Sequence, residues 1–325
     1  MTVSVGVAGL GHWGPNLARN FDELAELRWL CDVSQETRAR FASRYPRARV
    51  TDDFEELISD PELDAVVVAT PVPTHYELAK RSLEAGKHVL VEKPPATRGG
   101  EMEELVALAE ERGLVLLPGH LLLYHPAVAK LKSLVDSGQL GDVLCLYGNR
   151  QNLGIIRRDE NALWSLGVHD LSVILHLVGE EPSEAVAHGN AFLTPGVEDV
   201  VFCYLAFPSG KIAHMHLSWL DPHKMRKLTV VGTEKMAVFD DMELERKVTI
   251  YEKGPWKPAE RYGEWQTRTG DIFSPKIPTD EPLKLECRHF LELAGGDGDG
   301  GAAARAGLAV VRALERLQQS LDGRT

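Results

Sequence analysis

The run Gly9-Leu10-Gly11-His12-Trp13-Gly14 sets three glycines at the spacing G-x-G-x-x-G, directly after the alternating valines Val3, Val5 and Val7. Each glycine meets a requirement of a bound dinucleotide. Gly9 permits a tight turn, Gly11 withholds the Cβ that would obstruct a pyrophosphate, and Gly14 lets the next helix lie close to the strand. The N–H groups and positive dipole end of that helix then face the phosphates, with His12 and Trp13 in the turn, and Pro15 there costs no hydrogen bond. The next apolar run, Leu27, Trp29 and Leu30, ends at Asp32, 23 positions after Gly9. A carboxylate at that tip accepts hydrogen bonds from both ribose hydroxyls and repels a 2′-phosphate, which favours NAD over NADP. Such glycines also occur in strand-to-helix turns that bind nothing; here strand, turn, helix, second strand and acid stand in register.

Glu92-Lys93-Pro94 ends a later apolar run and puts a lysine at a strand tip, its backbone held out of the helical region by the proline. Ligands of wound sheets bind outside such tips, as does the loop Thr70-Pro71-Val72-Pro73-Thr74-His75 after the preceding strand. Lys93 is then either a proton-handling group beside a nicotinamide or a solvated strand-end lysine, and the residues alone leave both open. Arg150, Arg157 and Arg158 crowd the segment 150–164. Guanidinium groups suit bidentate phosphate binding, with a solvated charged loop as the rival reading.

The elements that must position these residues follow from periodicity. Strands at Val3–Val7, Leu27–Cys31, Val50–Asp52, Asp64–Thr70, Gly86–Pro95 and Leu114–Pro118 alternate with helical stretches, the pattern of a six-stranded, doubly wound parallel sheet. After Leu123 a helix over His125–Asp136 gives way to long alternating strands from Val143 to Asp240. The expected fold is α/β: a Rossmann domain over 1–123, then an α+β domain over 124–325 with a large, mostly antiparallel open sheet for substrate binding and oligomerisation. The Ala-rich helix Ala302–Leu321 is expected to pack back on the protein, against the first domain. Val201, Cys203, Leu205 and Phe207 face one way and Phe202, Tyr204 and Ala206 the other, so one face should meet helices and the other a partner subunit.

Composition narrows the function. The chain has 325 residues, and 36 Lys and Arg against 48 Asp and Glu give a net charge of -12, which repels a nucleic-acid backbone. Cys31, Cys145, Cys203 and Cys287 lack metal-site spacing, and His214 and His216 have no third ligand, so no metal is expected. With no leader and no membrane-length apolar run, a cytoplasmic location is expected.

The glycine run, Asp32, Ala69-Thr70-Pro71 with His75, Glu92-Lys93-Pro94 and Gly167-Val168-His169-Asp170 together resemble the glucose-fructose oxidoreductase / inositol dehydrogenase / rhizopine catabolism family over essentially the whole chain. The resemblance implies hydride transfer from a sugar or cyclitol hydroxyl to a nicotinamide. It also implies that Lys93 bonds the reacting hydroxyl, that the Lys93–Pro94 peptide is cis, and that His169 is the general base, a role its titration near neutrality suits. Many members carry an aspartate four residues before that histidine; Ser165 stands there, so proton transfer is assigned to Lys93 and His169 alone. Arg150, Asn152, Arg157, Arg158, Asn161 and Trp164, with the later Lys224 and Arg226, look like the branch acting on UDP-N-acetylated sugars. The expected activity is NAD-dependent oxidation, at C3, of a UDP-N-acetylglucosamine-type sugar. A free-sugar or inositol dehydrogenase is the alternative within the family, and a non-catalytic NAD-binding regulator the alternative outside it.

Overall fold

The structure, a computed structural model, describes residues 3–154, 156–158, 160–256 and 266–323. The chain opens with β1 (Ser4–Ala8), α1 (Gly14–Leu24), β2 (Glu26–Cys31), α2 (Gln35–Arg44), β3 (Arg49–Thr51) and α3 (Phe54–Ile58). It continues with β4 (Ala65–Val68), α4 (His75–Glu84), β5 (His88–Glu92), α5 (Gly99–Arg112), β6 (Leu116–Gly119), α6 (Pro126–Asp136), β7 (Val143–Gln151) and α7 (Val168–Val178). A run of strands follows: β8 (Glu184–Asn190), β9 (Val200–Ala206), β10 (Ile212–Ser218), β11 (Met225–Gly232), β12 (Met236–Asp240), β13 (Val248–Trp256) and β14 (Gln266–Phe273). Helices α8 (Pro282–Ala294) and α9 (Gly300–Leu321) end it.

Two compact units result: residues up to Tyr124 together with Glu281–Arg312, and His125–Asp280 together with residues from Ala313 onward. In the first, the strands pair in parallel in the order β3-β2-β1-β4-β5-β6. The order reverses between β1 and β4, the switch point where wound sheets open a crevice for ligand. Every residue of β1 and β4 is buried. Val66 and Val68 join one apolar cluster with α4 and α5, while Ala65 and Val67 join the other with α1 and α8.

The single boundary expected at 123 therefore meets a difference, because residues 281–312 return to the first unit. Leu283, Cys287, Phe290 and Leu293 on one face of α8 complete the cluster against α1 and the sheet. α9 approaches so closely that a Cβ on Gly307 would lie 2.4 Å from Pro118 Cγ. Arg305 and Arg312 pair with Glu110 and Glu103 of α5.

The second unit is built on an eight-stranded sheet ordered β14-β13-β12-β11-β7-β10-β9-β8, antiparallel except where β10 pairs β7. Period-2 alternation separates its faces: Val201, Cys203, Leu205 and Phe207 are buried, whereas Phe202 and Tyr204 are 54% and 40% exposed. On the open face Tyr147 stacks on His214, and Phe202 on His216.

Candidate active site

The turn from β1 to α1 has the geometry its glycines predict. Gly9 sits at φ +90°, where a Cβ would lie 2.6 Å from the Ala69 backbone, and one on Gly14 would lie 2.0 Å from the Gly9 carbonyl oxygen. A Cβ on Gly11 would meet nothing within 4 Å, so the protein's own packing does not demand a glycine there. That open cradle, at a helix start with no side-chain cap and no acid in its first turn, fits a pyrophosphate. His12 is exposed and Trp13 half-buried beside it.

Asp32 braces the turn: Oδ2 accepts from Leu10 N–H at 2.7 Å and Oδ1 from Ser34 N–H at 2.8 Å, leaving lone pairs for ribose hydroxyls. Arg38, the nearby cation that could answer a 2′-phosphate, is already engaged. It donates to the carbonyls of Asp32 and Val33 at 2.8 and 3.0 Å and pairs with Asp52 at 2.8 Å.

His75 ties the two strand-tip loops together. Its buried ring places Nδ1 2.8 Å from the Pro94 carbonyl and Nε2 2.7 Å from the Thr70 carbonyl. A neutral imidazole donates to only one of these; a doubly protonated ring donates to both. The bracket holds Thr70 and Pro71 on one side and Lys93–Pro94, whose peptide is cis, on the other. Lys93 is half-buried, and its N–H donates to Glu92 Oε2 at 3.3 Å. Desolvation raises the Glu92 carboxyl from its ordinary range to about 7, partly opposed by the Lys93 charge. Sequence reasoning passed over His120, just after the tip of β6. Burial there, aided by Lys93, pushes the imidazole down to about 4, and its Nε2 has no hydrogen-bond partner among the described residues.

In the second unit His169 occupies the first turn of α7, half-exposed. The helix is entered through a π-turn over Leu163–Gly167 that contains the buried Ser165, an irregularity frequent at functional sites. Gly167 is closely packed, since a Cβ would lie 2.7 Å from Leu217 Cδ1 of β10. Asp170, next to His169, is anchored on β7: its Oδ1 accepts from Arg150 Nε at 3.1 Å and Nη2 at 2.7 Å. Gly148 makes room for that carboxylate, because a Cβ there would stand 3.1 Å from Oδ2.

The residues expected at the substrate differ in their contacts. Arg150 is 5% exposed and pairs with Asp170 at the first turn of α7. Asn161 Nδ2 donates to Glu198 and Gln318, and Trp164 Nε1 to Gln318, which places both in a bracket to the end of α9. Arg157 pairs with Glu160 at 3.0 Å, and Arg226 with Asp241 at 3.4 Å. Arg158 and Lys224 are exposed, with no ion pair among the described residues, and Asn152 is half-buried. Ile155 and Asp159 of the same segment lie outside the described residues. Among the described residues no cluster could hold a metal ion, and no helix is long and apolar enough to cross a membrane.

Comparison with known proteins adds to this geometry. Residues 3–120 match the oxidoreductase family with an NAD-binding Rossmann fold, and residues 128–238 the GFO/IDH/MocA C-terminal domain. UDP-N-acetylglucosamine 3-dehydrogenase of Acidithiobacillus ferrooxidans is 29% identical over 252 residues, 77% of each chain. A solved structure of that enzyme superposes with a TM-score of 0.83 at 26% identity, covering 100% of this chain and 99% of that one. Inositol 2-dehydrogenase 2 of Saccharopolyspora erythraea is 31% identical over 67% of each chain. GenD2 from gentamicin A biosynthesis, solved in complex with NAD, superposes with a TM-score of 0.81 at 25% identity, covering 99% of this chain and 95% of that one.

Proposed function

This chain belongs to the GFO/IDH/MocA family of NAD-binding oxidoreductases, and from that premise we propose that it oxidises a ring hydroxyl, at C3, of a UDP-N-acetylglucosamine-type nucleotide sugar. Bound at the Gly11 cradle and Asp32, NAD supplies the acceptor for the hydride that leaves the carbinol carbon. Lys93 donates a hydrogen bond to the reacting hydroxyl, and His169 takes its proton. Ser165 carries no charge and adds nothing to that transfer. The His75 bracket holds the Lys93 tip at a fixed distance from the Thr70 loop, and the Arg150–Asp170 pair fixes the first turn of α7, hence the base.

The observation that carries the substrate class is the pair Arg157 and Arg158, set just ahead of α7 in a chain of net charge -12. A diphosphate is the chemistry such a pair suits. Likeness over the whole chain to a UDP-N-acetylglucosamine 3-dehydrogenase supports the same class, whereas the likeness to an inositol 2-dehydrogenase favours a free cyclitol as the second reading. The open aromatic face around Phe202 and Tyr204 supports assembly of identical subunits through the second unit's sheet.

The test replaces the two proton-handling groups. Lys93→Met and His169→Asn should each keep NAD binding by fluorescence titration while turnover falls about a hundredfold or more. Undiminished turnover in His169→Asn would move the base elsewhere.

A further inference from the structure

The ring of His75, 1% exposed, stands between two carbonyl oxygens, with Nδ1 2.8 Å from that of Pro94 and Nε2 2.7 Å from that of Thr70. Both neighbours are acceptors, and a ring nitrogen without a proton is an acceptor too. In either neutral tautomer, one nitrogen therefore turns its lone pair on a carbonyl oxygen at hydrogen-bond distance. Only the doubly protonated ring satisfies both contacts, and bonds from a charged donor are about twice as strong as neutral ones. Burial and the N-terminal end of α4, where the ring sits, oppose the charge. Two short bonds to carbonyls favour it.

The two carbonyls belong to the loops that flank the cofactor cradle. Thr70 lies against the glycine turn: a Cβ on Gly9 would stand 2.7 Å from Thr70 N, and Ala69 N–H donates to the Ala8 carbonyl at 2.8 Å. On the other side, Pro94 follows Lys93 directly. The charged and titratable groups on the elements packed around the ring are few. On α4, Tyr76 and Lys80 turn to Glu104 of α5 and Arg81 to Glu55, while Glu77 is exposed. On α5, Glu101 pairs with Arg98 and Glu103 with Arg312. β4 carries no titratable residue, and the tip of β5 brings Glu92 and Lys93. Glu84 and His88 stand at the opposite ends of α4 and β5.

We propose that His75 is a buried imidazolium at neutral pH, a charged latch that joins the Thr70 loop to the Lys93–Pro94 loop and ties NAD affinity to its proton. It acts as a positioning residue, through the backbone of Thr70 beside the glycine turn and of Pro94 beside Lys93. Losing the proton breaks one of the two bonds. A ring that holds its second proton above about pH 6.5, where a free imidazole releases it, binds that proton more tightly folded than unfolded. Its contribution is therefore full at low pH and lost as pH rises through the folded value. NAD affinity should fall with it. The inference needs only the family's cofactor, so the nucleotide-sugar reading can fail without touching it.

The first measurement is nuclear magnetic resonance of the full chain without cofactor, its histidine rings labelled with heavy nitrogen. His75, located by through-space contacts to Pro94 and by the signal missing from H75Q, should carry protons on both ring nitrogens at about pH 7. A single ring proton at that pH overturns the imidazolium. Fluorescence titration with NAD is the second measurement. Wild-type affinity should fall about tenfold between about pH 6 and about pH 9, the worth of one bond to a charged group. H75Q, whose uncharged amide does not titrate, should start weaker and lose that dependence. Glu92, raised to about 7, is present in both proteins, so the difference between them belongs to the ring. An H75Q with wild-type affinity and pH profile overturns the latch. Should H75Q not fold, H75N takes its place. Should neither fold, the wild type decides: affinity that tracks the ring's titration in the spectra supports the latch, and affinity constant through it overturns the latch.

Discussion

Replacing Arg150 by methionine should destabilise the second unit rather than weaken substrate binding alone. The guanidinium lies on the buried side of β7 with two nitrogens on Oδ1 of Asp170, while Oδ2 already lacks a partner among the described residues. Removing the arginine leaves a carboxylate that is 3% exposed with neither oxygen satisfied. Breaking a buried pair from one side costs about 3–5 kcal/mol. At about 1.36 kcal/mol per decade that is roughly two to four orders of magnitude in the folding equilibrium. With a urea slope of about 1–3 kcal/mol/M, the midpoint should drop by at least about 1 M. Trp219, buried at the end of β10, supplies the fluorescence signal. Arg150→Met combined with Asp170→Leu should recover most of the loss, since apolar replacement of both partners is often neutral. A single variant that unfolds like the wild type but shows a raised KM for a UDP-sugar would refute this reasoning and return Arg150 to the substrate.

Other outcomes follow from the same geometry. Asp32→Ala should weaken NAD about tenfold to a hundredfold, the worth of hydrogen bonds to a charged group, and wild-type protein should bind NADPH more weakly than NADH; tighter NADPH binding in a parallel titration would contradict the roles given to Asp32 and Arg38. Arg157→Ala or Arg158→Ala should raise KM for the UDP-sugar with less effect on kcat or NAD affinity, because binding lost equally from ground and transition states leaves turnover intact. If neither does, the diphosphate is held elsewhere. Light scattering at micromolar concentration should show an oligomer that Phe202→Glu with Tyr204→Glu dissociates; a monomeric wild type would remove the proposed interface.

The cofactor half was legible because its constraints are local. Gly9 is set by its positive φ and Gly14 by backbone approach within the same turn, the open Gly11 suits a ligand, and Asp32 stands at a strand tip, so order along the chain sufficed. β7 to β12 could be read from period-2 alternation. β13 and β14 were missed: the end of β13 carries Gly254 and Pro255, and much of β14 is exposed, so neither shows a clean apolar face. α8 was missed as well, because its burial depends on meeting α1 from more than two hundred residues away. The buried pairing of Arg150 was hidden for a similar reason. Nothing near Arg150 in the chain announces that its partner is Asp170, although Gly148, two positions before it on the same strand, is the signal that a carboxylate must fit there.

The central claim is most directly tested by incubating the purified full chain with NAD and UDP-N-acetylglucosamine, following NADH by absorbance and the sugar product by mass. NADH should form in step with a nucleotide sugar two hydrogens lighter, UDP should compete with the sugar, and free N-acetylglucosamine should not substitute for it. No NADH from any UDP-sugar, with ready oxidation of inositol or a free sugar insensitive to UDP, would contradict the nucleotide-sugar reading and leave a cyclitol or free-sugar dehydrogenase in its place.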